Sequence, residues 1–198
     1  MSISPKKLIS YPLITEHAFA KGGIISGYDD CYLFSKDNFP AEKELSLDLI
    51  RTDDIGRYYM REPRLKIFYP CKLDDEGNTI VINLDEIQYK YPKAYQHIMT
   101  NSLLMKGRKD SRNTMGSKEH WYQPVRFGTL KLFDGEKILS PGIVCKNKFT
   151  LDETGYAFSF GNMYALVAKD NKIQMRVLLG ILNSKLIEFY LHCIAPIK

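Results

Sequence analysis

The apolar positions fall into strand-like and helix-like stretches separated by polar turns. Leu65, Ile67 and Tyr69 alternate with polar neighbours from Arg64 to Pro70, which predicts a strand. Asp74-Asp75-Glu76-Gly77-Asn78 is a turn and Thr79 to Ile82 a second strand, so the two are expected to pair as an antiparallel ribbon. Gly22-Gly23 and Gly27 flank Ile24-Ile25 ahead of a strand at Cys31 to Phe34, which predicts a hairpin there. Leu45, Leu47, Leu49 and Ile50, between Ala41 and Asp54, are too irregularly spaced to assign.

Helical spacing starts at Pro92, a first-turn residue, and runs through Ala94, Tyr95, Ile98, Met99 and Ser102 to a stop at Lys106-Gly107. His97 on this helix is expected at its surface or edge. Strand signals then return at Ile138, Ser140, Ile143-Val144-Cys145, Phe149, Tyr156 to Phe158 and Tyr164 to Val167, with Gly161-Asn162 as a turn. The chain closes in helix, with Val177, Leu178, Ile181, Leu182, Leu186, Phe189 and Tyr190 as an apolar stripe expected in the core. Ser184 either caps a second helix or sits within a bent one. The sum is an α+β fold: a mainly antiparallel sheet with a central helix and C-terminal helices. Residues 1–20 read as an irregular lead-in and 21–198 as one domain.

Charge sharpens this picture. Lys106, Arg108, Lys109, Arg112, Lys118, Arg126 and Lys131 face only Asp110 and Glu119 within one segment, an excess equal to the chain's whole formal charge of +5. Gly107, Ser111, Asn113, Thr114, Gly116 and Ser117 make that segment polar and flexible, and it ends in His120-Trp121-Tyr122-Gln123. Long cations suit phosphates, whereas Arg, Gln and His reach base edges. The candidate phosphate contacts are therefore Lys106, Arg108, Lys109, Arg112 and Lys118. The candidate base contacts are His120, Gln123 and Arg126. Trp121 and Tyr122 serve equally as core or as DNA contacts.

Several classes of chemistry find no pattern here. Cys31, Cys71, Cys145 and Cys193 are dispersed, as are the histidines, so neither a disulfide framework nor a metal site is expected. Reduced thiols suggest a cytoplasmic protein. No phosphate-cradling glycine loop and no nucleophile elbow occurs, and no run of about 18 apolar residues suggests a membrane span. Asp29-Asp30, Asp53-Asp54 and Asp74-Asp75 could hold a metal in principle, but adjacent strand residues point to opposite faces and two of the pairs read as turns, so no catalytic residue is assigned.

Four places, taken in order, resemble one family. They are Gly23-Ile24-Ile25-Ser26-Gly27 with Tyr32-Leu33-Phe34; Asp53-Asp54-Ile55-Gly56-Arg57-Tyr58; Tyr91-Pro92-Lys93-Ala94-Tyr95 with Leu103-Leu104 and Arg108; and Trp121-Tyr122, Lys137 to Pro141 and Leu182 to Leu186. Their order is similar to that in the TaqI-like C-terminal specificity domain, the target-recognition domain of type IIG restriction-modification enzymes and adenine-N6 DNA methyltransferases. One departure is Ser26, where the family usually has Thr. The resemblance implies a double-stranded DNA partner, no catalysis by this chain, and a methyltransferase domain on the same polypeptide. S-adenosylmethionine, and Mg if the parent also acts as an endonuclease, would belong to that parent. The chain itself is expected to be a monomer with no cofactor. An alternative remains open: a protein-interaction module docking other subunits, marked by an exposed apolar patch. A compact hydrolase using converging carboxylates is a third. Arg57 and Arg61 are either a second basic edge or partners of Asp53 and Glu62.

Overall fold

The computed structural model describes residues 14–142, 146–159, 163–169 and 173–194. In chain order it begins with α1 (Ile14–His17), β1 (Ala18–Gly22), β2 (Leu33–Ser35), β3 (Ser46–Ile50), β4 (Leu65–Phe68), β5 (Cys71–Leu73) and β6 (Thr79–Val81). Helices α2 (Leu84–Lys90), α3 (Pro92–Thr100) and α4 (Ser102–Gly107) follow, then β7 (Lys109–Asp110) and β8 (Asn113–Thr114). The chain continues through α5 (Leu130–Asp134), β9 (Lys137–Pro141), β10 (Thr150–Asp152), β11 (Ala157–Phe158), β12 (Met163–Ala168), α6 (Met175–Leu182) and α7 (Lys185–Ile194). The class is α+β, with mostly antiparallel pairing, as expected. The strand expected at Ile143 to Cys145, the turn at Gly161-Asn162 and residues 1–13 of the lead-in lie outside the described residues.

Two four-stranded sheets carry the fold, ordered β1-β12-β9-β10 and β11-β3-β4-β2. In the second, β4 is central. Lys66 faces Asp48 across the β3 pairing, 3.2 Å from its carboxylate, while Ile67 is buried on the opposite face. The helix α3 covers the Lys66 side. Ala94 and Ile98 are fully buried on its inner face, and the His97 ring stands edge-on to Phe34 and Phe68 at 5.4 and 5.3 Å. His97 is thus a packing residue of the helix edge. Burial lowers its pKa, in keeping with a neutral ring bonded to the Cys31 carbonyl at 2.9 Å. The Glu42 carboxylate accepts from the amides of Lys93 and Ala94 at 2.9 and 3.0 Å, capping the helix from outside its own sequence.

The first sheet has a face on each of two cores. Leu139 and Ala165, paired across β9 and β12, enter the main core with Tyr32, Phe68, Phe133 and Phe158. Ile138 and Leu166 point the other way, against Met175, Leu178 and Leu182 of α6. Lys137 and Asp152, opposite one another on β9 and β10, form a fully buried ion pair at 2.7 Å. The lysine also donates to the carbonyls of Phe133 and Gly135, and Asp152 accepts from the Thr154 amide and hydroxyl. Ser184 caps α7, accepting from the Ile187 amide at 3.3 Å.

Several pairings differ from expectation. The residues after Gly22 form no hairpin with β2; Ile24 and Ile25 instead bridge Ser159 and Arg126, and β2 pairs with β4. Likewise β6 pairs with β5, a short strand directly after Pro70, and not with β4. Ala18 to Ala20, placed in the irregular lead-in, belong to β1 and pair with β12. The terminal stripe is split. Leu178 and Leu182 are buried where α6 packs on β9 and β10, but Val177 and Ile181 on the rest of α6, and Leu186, Phe189 and Tyr190 of α7, are exposed.

Candidate nucleic-acid interface

The basic segment is more ordered than its composition suggests. Lys109 pairs with Thr114 and Asp110 with Asn113, so β7 and β8 form a tight ribbon turned by Ser111 and Arg112. Ser111 takes a left-handed φ of 57°, which a short polar residue tolerates. Two fully buried methionines, Met105 before the ribbon and Met115 after it, root it in the domain.

Arg108 holds that root together. It is 4% exposed, although the sequence reading made it a phosphate contact. Its guanidinium donates to the carbonyls of Met105 (2.9 Å), Trp121 (2.7 Å) and Gln123 (2.8 Å), and to that of Ser26. It also lies 4.6 Å over the Tyr32 ring. The correction has a plain cause: a planar fork with five N–H groups can satisfy carbonyls converging from three segments, so this cation is spent inside. Burial lowers its pKa, and the neighbouring carbonyls take the place of water. Gly27, at φ 78°, passes close to it: a Cβ there would stand 2.5 Å from Val125 Cγ2 and 3.3 Å from Arg108 Cδ. The glycine-marked opening and the basic segment, joined at Ser26 and Arg108 across 82 residues, therefore form one structural unit.

The other cations face outward. Lys106, Lys109, Arg112 and Arg126 are exposed. Lys106 Nζ sits 4.5 Å over the half-exposed Trp121 ring, which places that indole at the foot of the ribbon. Lys118 is half-buried and bonded to Asp110 at 2.9 Å; that bond, ahead of the Arg126 charge, holds the Asp110 carboxyl low. Arg126 exchanges two backbone bonds with Ile25, 2.8 and 3.1 Å long, which fixes the base of its side chain. His120 and Gln123 are half-exposed on the same connection. Tyr122 belongs to the core. It is 1% exposed, its hydroxyl donates to the Ile82 carbonyl at 2.6 Å, and burial pushes its pKa up to about 12. Arg57 pairs with Glu188 and the Asn147 carbonyl rather than with Asp53.

Residues 49–198 match the family model of the TaqI-like C-terminal specificity domain. The chain belongs to that family. This specificity domain is accordingly a DNA-recognition module of restriction-modification enzymes and is not itself catalytic. No curated protein matches it. Among the described residues, no three His, Cys, Asp or Glu side chains cluster as metal ligands, and no helix is long and apolar enough to cross a membrane. Sequence reasoning missed the structural duty of Arg108 and the ribbon. Two methionines, Met105 and Met115, on either side of the polar segment were the available signal for the ribbon; none singled out Arg108.

Proposed function

We propose that this specificity domain binds double-stranded DNA through the β7–β8 ribbon and the Trp121–Arg126 connection behind it. The observation that carries this reading is the rooted ribbon: Arg108 and two methionines anchor a projection whose outward groups are Lys106, Lys109 and Arg112. These cations would follow phosphates, with Lys118 as a weaker contributor because Asp110 already holds it. Arg126, Gln123 and His120 would read base edges, and Trp121 would pack against a sugar or base. In this reading the domain grips the flanking sequence while a target adenine is turned out into a methyltransferase domain of the same polypeptide. S-adenosylmethionine would be held there and not by this chain. Whether type IIG or methylating only, such a parent would work in the cytoplasm, with Mg needed for any endonuclease step.

The exposed apolar face of α6 and α7 favours a protein contact as well. It supports docking of that methyltransferase domain alongside DNA binding, and so gives the interaction reading a place of its own.

Fluorescence anisotropy over a salt series tests the DNA surface. Replacing Lys106, Lys109 and Arg112 together by Ala should weaken duplex binding and lower the log–log salt slope by about 3 units, roughly 0.9 for each lost phosphate contact. An unchanged slope would remove the ribbon from the interface.

A further inference from the structure

Gly107 and Gly116 flank the ribbon, and the fold uses only one of them. An added Cβ on Gly116 would stand 3.2 Å from the Lys106 Cβ and from its carbonyl oxygen, so glycine lets the turn at Met115–Ser117 lie close against α4. Gly107 has no such duty. Among the described residues no atom lies within 4 Å of a Cβ built on it, and its φ is not left-handed. It ends α4 with the extended Arg108 after it, so it forms no glycine cap either. Glycine weakens a helix relative to alanine, and nothing inside the chain repays that here. The remaining use of glycine is close approach of its backbone to something outside.

Leu103 lies on the same line of α4, one turn earlier. Fully buried Met105 marks the inner side of this helix, and at 100° per residue Leu103 points about 160° away from it. Leu103 is 85% exposed, with Leu104 half-exposed beside it. An outward leucine and an open glycine therefore share the crest of the helix that leads into the ribbon. Lys106 stands on the flank of that crest, with its ammonium over the Trp121 ring.

The charge around the crest indicates the partner. From Pro92 to Lys118 the sequence holds one acid, Asp110, and Lys118 already binds it at 2.9 Å. Lys106, Lys109 and Arg112 are exposed in that stretch, and Glu119 follows as the next acid. Asp30 comes in under the inner side, where its neighbour Cys31 meets Asn101 one turn before Met105. A polyanion with apolar surface between its charges matches this arrangement, and the sugar edges of DNA supply it.

We propose that the crest of α4 is part of the DNA surface: a strand of the duplex crosses it at Gly107, and Leu103 packs against a deoxyribose beside the phosphates that Lys106 and Lys109 hold. Such a contact positions the duplex without reading sequence. This rests on the DNA-binding reading above.

Leu103→Ala leaves every cation in place, and Gly107→Leu adds a side chain for which the free chain has room. Both should keep the unfolding midpoint, since each puts a good helix former on an open side of α4. In fluorescence anisotropy Leu103→Ala should bind a labelled duplex of arbitrary sequence roughly tenfold more weakly, at an unchanged salt slope, because no phosphate contact is lost. Gly107→Leu should weaken binding at least as much, by obstruction and not by loss of fold. Gly107→Ala, a smaller addition, serves if the leucine variant misfolds. Wild-type affinity in both variants, with the Lys106, Lys109 and Arg112 variant still weakened, would overturn this contact and leave the ribbon reading intact; it is also what a protein partner on the crest would give. No duplex binding by the wild-type chain at low salt would overturn both.

Discussion

Arg108 shows how far a side chain's role depends on what surrounds its charged end. Lys106, Arg108 and Lys109 are near neighbours in one basic run, yet only the middle one is folded inward, onto four carbonyls and the Tyr32 ring. A buried acceptor left without its donor costs about 1–3 kcal/mol. Arg108→Met should therefore destabilise the chain by at least about 3 kcal/mol in urea unfolding, through several orphaned acceptors. Arg108→Lys should recover only part of this, since one ammonium cannot span the fork. Lys106→Ala should stay within about 0.5 kcal/mol, as exposed substitutions usually do. A small effect of Arg108→Met would mean that water satisfies those carbonyls and that the ribbon's root is loose. Nothing in the sequence separates these three cations, because the carbonyl partners come from Ser26 and from Trp121 and Gln123, beyond any local pattern.

At the scale of elements, what was legible is what neighbouring residues decide. The alternation of Leu65 and Ile67 marked β4, Pro92 marked the start of α3, and Asn183-Ser184 marked the break between α6 and α7. Pairing was not legible. The chain leaves β4 at Pro70 and returns at once through β5, with the Ile82 amide donating to the Pro70 carbonyl at 3.0 Å, so β6 meets β5 first. The β3 strand was legible too: Leu45, Leu47 and Leu49 alternate with Ser46 and Asp48, a strand signal that Ile50 and the charges of Ala41 to Asp54 obscure. The place of Asp48 is decided only opposite Lys66. Lys137 is similar: it reads as a surface charge until β10 brings Asp152 against it. Removing one member of such a pair leaves a buried charge uncompensated. Lys137→Met should cost about 3–5 kcal/mol. Adding Asp152→Asn, which keeps an acceptor for Thr154, should restore part of that loss in the double mutant. Equal stability of the single and double variants would show that the two groups are not coupled.

On the whole molecule, the surfaces differ in chemistry. The outward cations of the ribbon suit DNA, whereas α6 and α7 bury one side and leave Val177, Ile181, Leu186, Phe189 and Tyr190 to solvent. A large apolar side chain gains about 1.5–3 kcal/mol when fully buried, so these exposed residues favour whatever covers them. In a family whose members serve restriction-modification enzymes, the cover we propose is the methyltransferase domain. Leu186→Ser with Phe189→Ser discriminates this from a face packed within the chain. If the face is a docking surface, the double variant should keep the isolated chain's unfolding free energy within about 1 kcal/mol and its duplex affinity unchanged. In the parent enzyme the same changes should uncouple the two domains, seen as separate unfolding transitions and slower methylation of the target site. A loss of several kcal/mol in the isolated chain would place these residues in its own core and leave the docking proposal without its surface.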